Sequence, residues 1–254
     1  MNVSRIIRRG NLTICICDNA AAAAAVVADH ACNAILDDPK AKLGLATGGT
    51  PVPVYEMLLE RQSKGLADFR NATTFNLDEY VGLSPEHPQS FAAYMRDNFF
   101  TPAELNPDRT HLPPGIADDI EAAARDYEDL IERHSGIDWQ LLGIGNNGHI
   151  AFNEPGSLPN SRTRVVNLTQ DTVNANSRFF EADEEVPRRA VTMGIGTILR
   201  ARAITLLAVG PNKAGAVAAA LERKPSLECP ASWLQQHADV TFVLDDAAAG
   251  GLCR

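Results

Sequence analysis

The chain reads as an α/β protein built on a mostly parallel sheet with helices on both faces. Two observations lead there. Apolar, β-rich runs alternate with helical stretches along most of the sequence, the pattern of strands joined by crossover helices. One of those stretches, "IADDIEAAARDYEDLIERHSG", carries a 3.6-residue apolar repeat, acidic residues toward its start and Gly136 at its end.

Taken in order, "LTICIC" (Leu12 to Cys17) is the first strand, and Asp18 and Asn19 cap the alanine-rich helix that follows it. "KLGLA", "TTFNL", "WQLLGIG", "AITLLAVG" and "VTFVL" supply five more strands, with helices between them. In such folds ligands gather at the carboxyl ends of the strands, so the strand-to-helix loops are the places to search. From Gly156 to Pro187 the alternation stops, and the segment is polar and basic at its start. A long irregular connection of this kind is expected to act as a lid over a site. No repeat or linker marks a second unit, and residues 1–254 are expected to form a single domain.

Composition narrows the function. With 23 basic and 32 acidic residues the net charge is −9, which argues against nucleic acid and anionic membranes as partners. A small anionic ligand would need a local basic site. The five cysteines are odd in number and match no zinc spacing, so free thiols in a reducing compartment are expected. No apolar run approaches a membrane span, and "AAAAAVVA" lies behind a strand with no basic region directly before it. A cytoplasmic location follows as the expectation.

Four loops carry chemistry. "ATGGTPVPVYEML" places Thr47, Gly48, Gly49 and Thr50 between a strand and a helix, where exposed amides and two hydroxyls can hold a phosphate. Half of such turns are mere caps, but the position at a strand end favours a ligand. "GPNKAG" brings Lys213 to the end of another strand, a charge that would otherwise belong to the solvated surface. "TTFNLDEYVGL" delivers Asp78 and Glu79, of which only one can face a common site, since neighbours on an extended chain point to opposite sides. "GIGNNGHIAFNEPGS" gathers Asn147, His149 and Glu154, a histidine suited to proton exchange near neutral pH and a carboxylate that can orient it. Together these loops offer phosphate donors, a carboxylate base and a proton-transfer couple, the equipment for moving protons on a sugar phosphate.

"LGLATGGTPVPVYEML", "TFNLDEYVGLSPEHPQSFAAYMRDNFF", "GIGNNGHIAFNEPGS" and "ANSRFF" strongly resemble the glucosamine-6-phosphate deaminases, in order from about Leu43 to Leu244. The loops show no metal-ligand cluster, and the resemblance implies a modified Rossmann-like fold that converts glucosamine 6-phosphate and water to fructose 6-phosphate and ammonia without an organic cofactor. It implies Asp78 as the base of the enolisation step and His149 with Glu154 in ring opening. Thr47, Gly48, Gly49, Thr50, Arg178 and Lys213 would hold the phosphate, Arg178 from within the lid. Asn147 stands where some members carry an aspartate; an amide can orient His149 but cannot stabilise its cation as a carboxylate would. Hexamers and smaller assemblies both occur in the family, so a homo-oligomer is compatible with it.

Three other functions stay in view: a 6-phosphogluconolactonase, a galactosamine 6-phosphate specialist and a catalytically silent sugar-phosphate sensor. Lactone hydrolysis needs no base beside C2, and a sensor needs no proton-transfer couple. Some deaminases are activated by N-acetylglucosamine 6-phosphate at a second phosphate site. Here Ser157 and Arg164 remain, but Val166 stands where regulated members carry a lysine, and no tyrosine follows Tyr127. Such activation is expected to be absent.

Overall fold

In the computed structural model, residues 3–177, 180 and 184–253 are described. The chain begins with a hairpin, β1 (Val3–Arg9) and β2 (Leu12–Cys17), turned at Gly10, whose φ of 61° suits glycine. Helix α1 (Ala20–Asp37) follows, its first turn capped by the Asn19 side chain, which accepts from Ala22 N–H at 2.9 Å. Then come β3 (Lys42–Leu45), α2 (Val52–Ser63), β4 (Thr73–Asn76), β5 (Asp78–Tyr80), α3 (Phe91–Met95), β6 (Thr110–His111), α4 (Ile120–Arg133) and β7 (Trp139–Leu142). The remainder is β8 (Arg164–Asn167), α5 (Gln170–Ser177), β9 (Arg189–Thr192), α6 (Ile195–Ile198), β10 (Ala203–Ala208), α7 (Ala214–Glu222) and β11 (Val240–Asp245).

Eight strands form the main sheet in the order β1-β2-β11-β10-β7-β3-β4-β6, and every pair except β1–β2 is parallel. Register sets the two faces. His30 of α1 meets the Thr205 hydroxyl at 2.9 Å, and Trp139 Nε1 donates to the same hydroxyl, so α1 covers the face that carries Trp139 and its neighbour Leu43. Phe75, in register with Gly44 and therefore on the opposite face, packs against Tyr127 of α4. Helices thus lie on both faces, as the alternation predicts. Gly44 is required there, because a Cβ would sit 2.0 Å from the buried Gln140 amide oxygen.

The six strands expected from the apolar runs are all present. The 156–187 segment departs from its expected irregularity: it holds β8 and α5, and β8 joins β9 and β5 in a second, antiparallel sheet of order β5-β9-β8. Leu77 joins the two sheets, donating its N–H to Leu45 O and accepting from Met193 N–H at 2.7 Å. The membrane expectation also needs correcting, since α1 is long and apolar enough to cross a bilayer by length and composition. Its apolar residues are spent on packing: Val26, Val27, Ala31 and Ile35 are buried in the core. A buried core helix passes the same test as a membrane span.

Candidate active site

The carboxyl ends of β3, β4 and β7 open into a cleft of about 780 Å³, lined by Thr47–Thr50, Asp78, His149 and Lys213 among others. Loops separated by more than 160 residues in sequence therefore share one wall, the switch-point geometry expected of an open parallel sheet.

The turn after β3 leaves its backbone amides without protein partners among the described residues. Gly48 adopts φ 111°, and among the described residues the N–H groups of Thr47, Gly48, Gly49 and Thr50 donate to no protein acceptor. Pro51 then starts α2 without an N–H to satisfy. Lys213 is half-buried, no described carboxylate lies within 4.0 Å of it, and burial pushes its pKa down, as for a cation lacking a counter-ion. Its loop is fixed by Asp245, which accepts from Gly210 and Ala248 N–H at 3.0 and 2.8 Å. Arg178 lies outside the described residues.

Asp78 and Glu79 take opposite directions, as neighbours on an extended strand must. Glu79 accepts from the N–H of Tyr80, Phe91 and Ala92 at 2.8–3.0 Å and so anchors the start of α3. Asp78 lines the cleft at 7% exposure and accepts no hydrogen bond from a described residue. Burial, with Glu79 beside it, pushes its carboxyl up to about 8. A carboxylate with that pKa is a base matched to neutral solution.

His149 and Glu154 bracket a tight turn. Ile150 and Asn153 form a bridge across it, with Ala151 at φ 50°, and the buried Asn153 amide donates to Ile150 O and Met193 O while accepting from Arg164. This brings His149 Nδ1 to 3.5 Å from Glu154 Oε1, longer than a formed hydrogen bond and an ion pair only when the ring is protonated. The imidazole packs flat on the backbone at Gly145, where a Cβ would lie 2.2 Å from its Cε1. Burial favours neutral Glu154, but His149, Asn147 and Thr172 outweigh it and hold the carboxyl at about 2. Asn147 acts differently from the expectation: its Nδ2 donates to Glu154 Oε2 at 2.7 Å and its Oδ1 accepts the His149 backbone N–H at 3.2 Å. The amide orients the carboxylate and the main chain, not the ring.

Three groups of residues escaped the sequence reading. Thr172 of α5 donates to Glu154 at 3.0 Å from the 156–187 segment. Tyr94 lines the cleft and donates to Gly48 O at 2.7 Å. Tyr80, Phe91 and Phe152 stack into an aromatic wall beside Asp78. Neither Thr172, nor Tyr94, nor the aromatic wall carried a visible signal in the sequence. Ser157 and Arg164 are adjacent at 3.4 Å, with the guanidinium occupied by Asn153.

Known proteins match the chain over most of its length. A family model described as glucosamine-6-phosphate isomerases/6-phosphogluconolactonase matches residues 18–243. The chain belongs to that family. It is 56% identical over 227 residues to a glucosamine-6-phosphate deaminase of Rhodopirellula baltica, covering 89% of this chain and 90% of that one. Against the glucosamine-6-phosphate deaminase of Hahella chejuensis it is 48% identical over 241 residues, covering 95% and 92%. Among solved structures, a monomeric glucosamine-6-phosphate deaminase superposes with a TM-score of 0.91 at 45% identity, over 94% of this chain and 99% of that one. A 6-phosphogluconolactonase from Trypanosoma cruzi gives a TM-score of 0.78 at 22% identity, over 95% and 97%, a likeness of fold alone.

Proposed function

We propose that this family member converts glucosamine 6-phosphate and water to fructose 6-phosphate and ammonia in its cleft, with Asp78, His149, Glu154 and Lys213 in the roles that follow. The observation that carries the reading is the convergence on one cleft of a carboxylate, a turn of four amides and a lysine that have no partner among the described residues, with a histidine set against a second carboxylate. The names of the relatives at about half identity point the same way, whereas the lactonases share only the fold.

The pyranose must open first. His149 takes the anomeric hydroxyl proton and returns one to the ring oxygen, and Glu154, held ionised at about 2, steadies the transient imidazolium. Opening leaves an aldehyde at C1 that acidifies the C2 hydrogen. Asp78 removes that proton, giving an enolamine, and delivers a proton to C1, so that C2 becomes a ketimine. Water adds at C2 and ammonia departs, leaving the ketose. The phosphate remains with Thr47–Thr50 and Lys213 throughout. Residues 156–187 act as a lid whose α5 hydroxyl, on Thr172, reaches Glu154 when closed.

The five cysteines are free thiols, which suits the reducing cytoplasm. The likeness to a deaminase named as monomeric favours action as a single chain. Release of ammonia from glucosamine 6-phosphate, from its galacto epimer and, as a control, hydrolysis of 6-phosphogluconolactone separate the readings. Lactone hydrolysis without ammonia release would replace the proposal with the lactonase; no turnover of any of the three would leave a sensor.

A further inference from the structure

The turn that carries the four free amides contains two adjacent glycines, Gly48 and Gly49, and glycine pairs let the peptide between them flip at little cost. A flip would matter here. In a trans peptide the carbonyl and the following N–H point in opposite directions, and no cis bond occurs in the described residues. Reversing the Gly48–Gly49 peptide would exchange an amide hydrogen for a carbonyl oxygen and set a negative dipole where an anion is to be held.

Two phenols hold carbonyls of this turn, and the one on Gly48 opposes such a flip. Tyr55, fully buried in α2, donates to Ala46 O at 2.5 Å, and Tyr94 donates to Gly48 O at 2.7 Å. The alternate carbonyls of the turn are thereby drawn onto hydroxyls, which leaves the Thr47 and Gly49 amides directed away from them. Tyr94 is itself well fixed. Its helix α3 is capped by Ser90, which accepts from Ala93 N–H at 3.0 Å, and by the Glu79 carboxylate. Asn98 Nδ2 donates to the Tyr94 carbonyl one turn on. Burial raises the phenol's pKa, so the hydroxyl stays a donor.

We propose that Tyr94 is a positioning residue for phosphate recognition, its hydroxyl locking the Gly48–Gly49 peptide so that the Gly49 amide faces the substrate phosphate. This rests on the phosphate assignment made above. Tyr94 thus couples two motifs distant in sequence: "NLDEY" anchors α3 through Glu79, and α3 sets the shape of "TGGT". The ring of Tyr94 also lines the cleft, so a phenylalanine would keep the wall and lose only the lock.

The test is Tyr94→Phe, read by calorimetric titration with inorganic phosphate and with fructose 6-phosphate, by steady-state kinetics on glucosamine 6-phosphate and by thermal unfolding. Dissociation constants for both phosphates and KM should rise about 5- to 30-fold, the range for one lost hydrogen bond to a loop that binds an anion, while kcat falls by at most about twofold. That split is what a general loosening of the fold would not give. Unaltered phosphate affinity in Tyr94→Phe, with the parent binding normally, overturns the role of Tyr94 alone. Failure of the parent protein to bind either phosphate overturns the phosphate site itself. A fall in kcat as large as the rise in KM also overturns the proposal, since it would place Tyr94 in the chemistry.

Discussion

Replacing Asp78 by asparagine should stop catalysis and stabilise the protein. The carboxyl is buried at 7% exposure without a hydrogen-bond donor, and its pKa rises from an ordinary 3.8 to about 8. A folded-state pKa above the unfolded one means that the native protein binds the proton more tightly. The stability this provides is complete below pH 3.8 and is lost progressively as the pH climbs through 8. At pH 7 the unfolded chain carries the charge while the native state suppresses it, a cost on the order of 4 kcal/mol at about 1.4 kcal/mol per pH unit. Water in the cleft reduces this, so the expected gain for Asp78→Asn, which cannot ionise, is roughly 2–4 kcal/mol or several degrees in Tm.

The measurement is a pair of Tm profiles from pH 4 to pH 9 with turnover recorded alongside. The two proteins should melt nearly together at pH 4 and diverge as the pH rises, the variant above the parent. Turnover should fall about 10²–10⁴-fold in the variant while sugar-phosphate binding survives, and kcat/KM of the parent should rise with pH toward 8. A variant that turns over at near the parent rate removes Asp78 from the mechanism. One whose Tm offset is the same at both ends of the range shows that Asp78 is not held as a buried acid.

Lys213→Ala should raise KM by about 10- to 100-fold, equivalent to the 1.5–3 kcal/mol of a charged contact, and lower kcat far less, as read from initial rates over a wide substrate range. Gly145→Ala forces the His149 ring off its seat, because the added Cβ would stand 2.2 Å from Cε1; a loss of at least about tenfold in kcat with the fold retained is expected from parallel activity and melting assays. Saturation by glucosamine 6-phosphate should be hyperbolic and indifferent to N-acetylglucosamine 6-phosphate, because Val166 cannot supply a second cation beside Arg164, whose guanidinium is occupied by Asn153 and Ser157. Sigmoidal rates abolished by the acetylated sugar would contradict this.

What the sequence disclosed, and what it hid, follows from the physics of each segment. The central strands were legible because they are buried on both faces and read as unbroken apolar runs: all four residues of β7 are buried, and β10 is buried apart from its first residue. β1 was missed because it is an edge strand whose polar, basic residues face solvent, and only the Gly10-Asn11 turn betrayed its hairpin. β8 was hidden in the segment from 156 to 187 for a similar reason, since the pattern "RTRVVN" is half-exposed and its partner β9 begins 22 residues beyond it. The chemical loops were legible as loops. How they meet was not: the seat of His149 at Gly145, the Asn147–Glu154 bond and the hydroxyl of Thr172 depend on backbone geometry and on contacts between segments up to 18 residues apart.

The two carboxylates of "NLDEY" show how one peptide serves two ends. Burial pushes both upward, so composition and depth alone would make them equivalent. They differ in what the neighbouring backbone offers. Glu79 turns toward the unsatisfied N–H groups at the start of α3 and receives two of them, from Phe91 and Ala92, besides the N–H of its neighbour Tyr80, which converts a buried acid into a helix cap. Asp78, one residue earlier and on the other side of the strand, meets the cleft and receives none. Burial is what leaves Asp78 basic, with no donor from a described residue to pull against it, whereas at Glu79 the three backbone amides work against the upward push of burial. The same strand geometry that excludes Glu79 from the cleft lets it hold α3, and with it Tyr94, against the turn that faces the phosphate. On the proposed assignment, the base at one end of the sugar and the grip at the other rest on adjacent residues, so a shift of β5 relative to β9 would disturb both together.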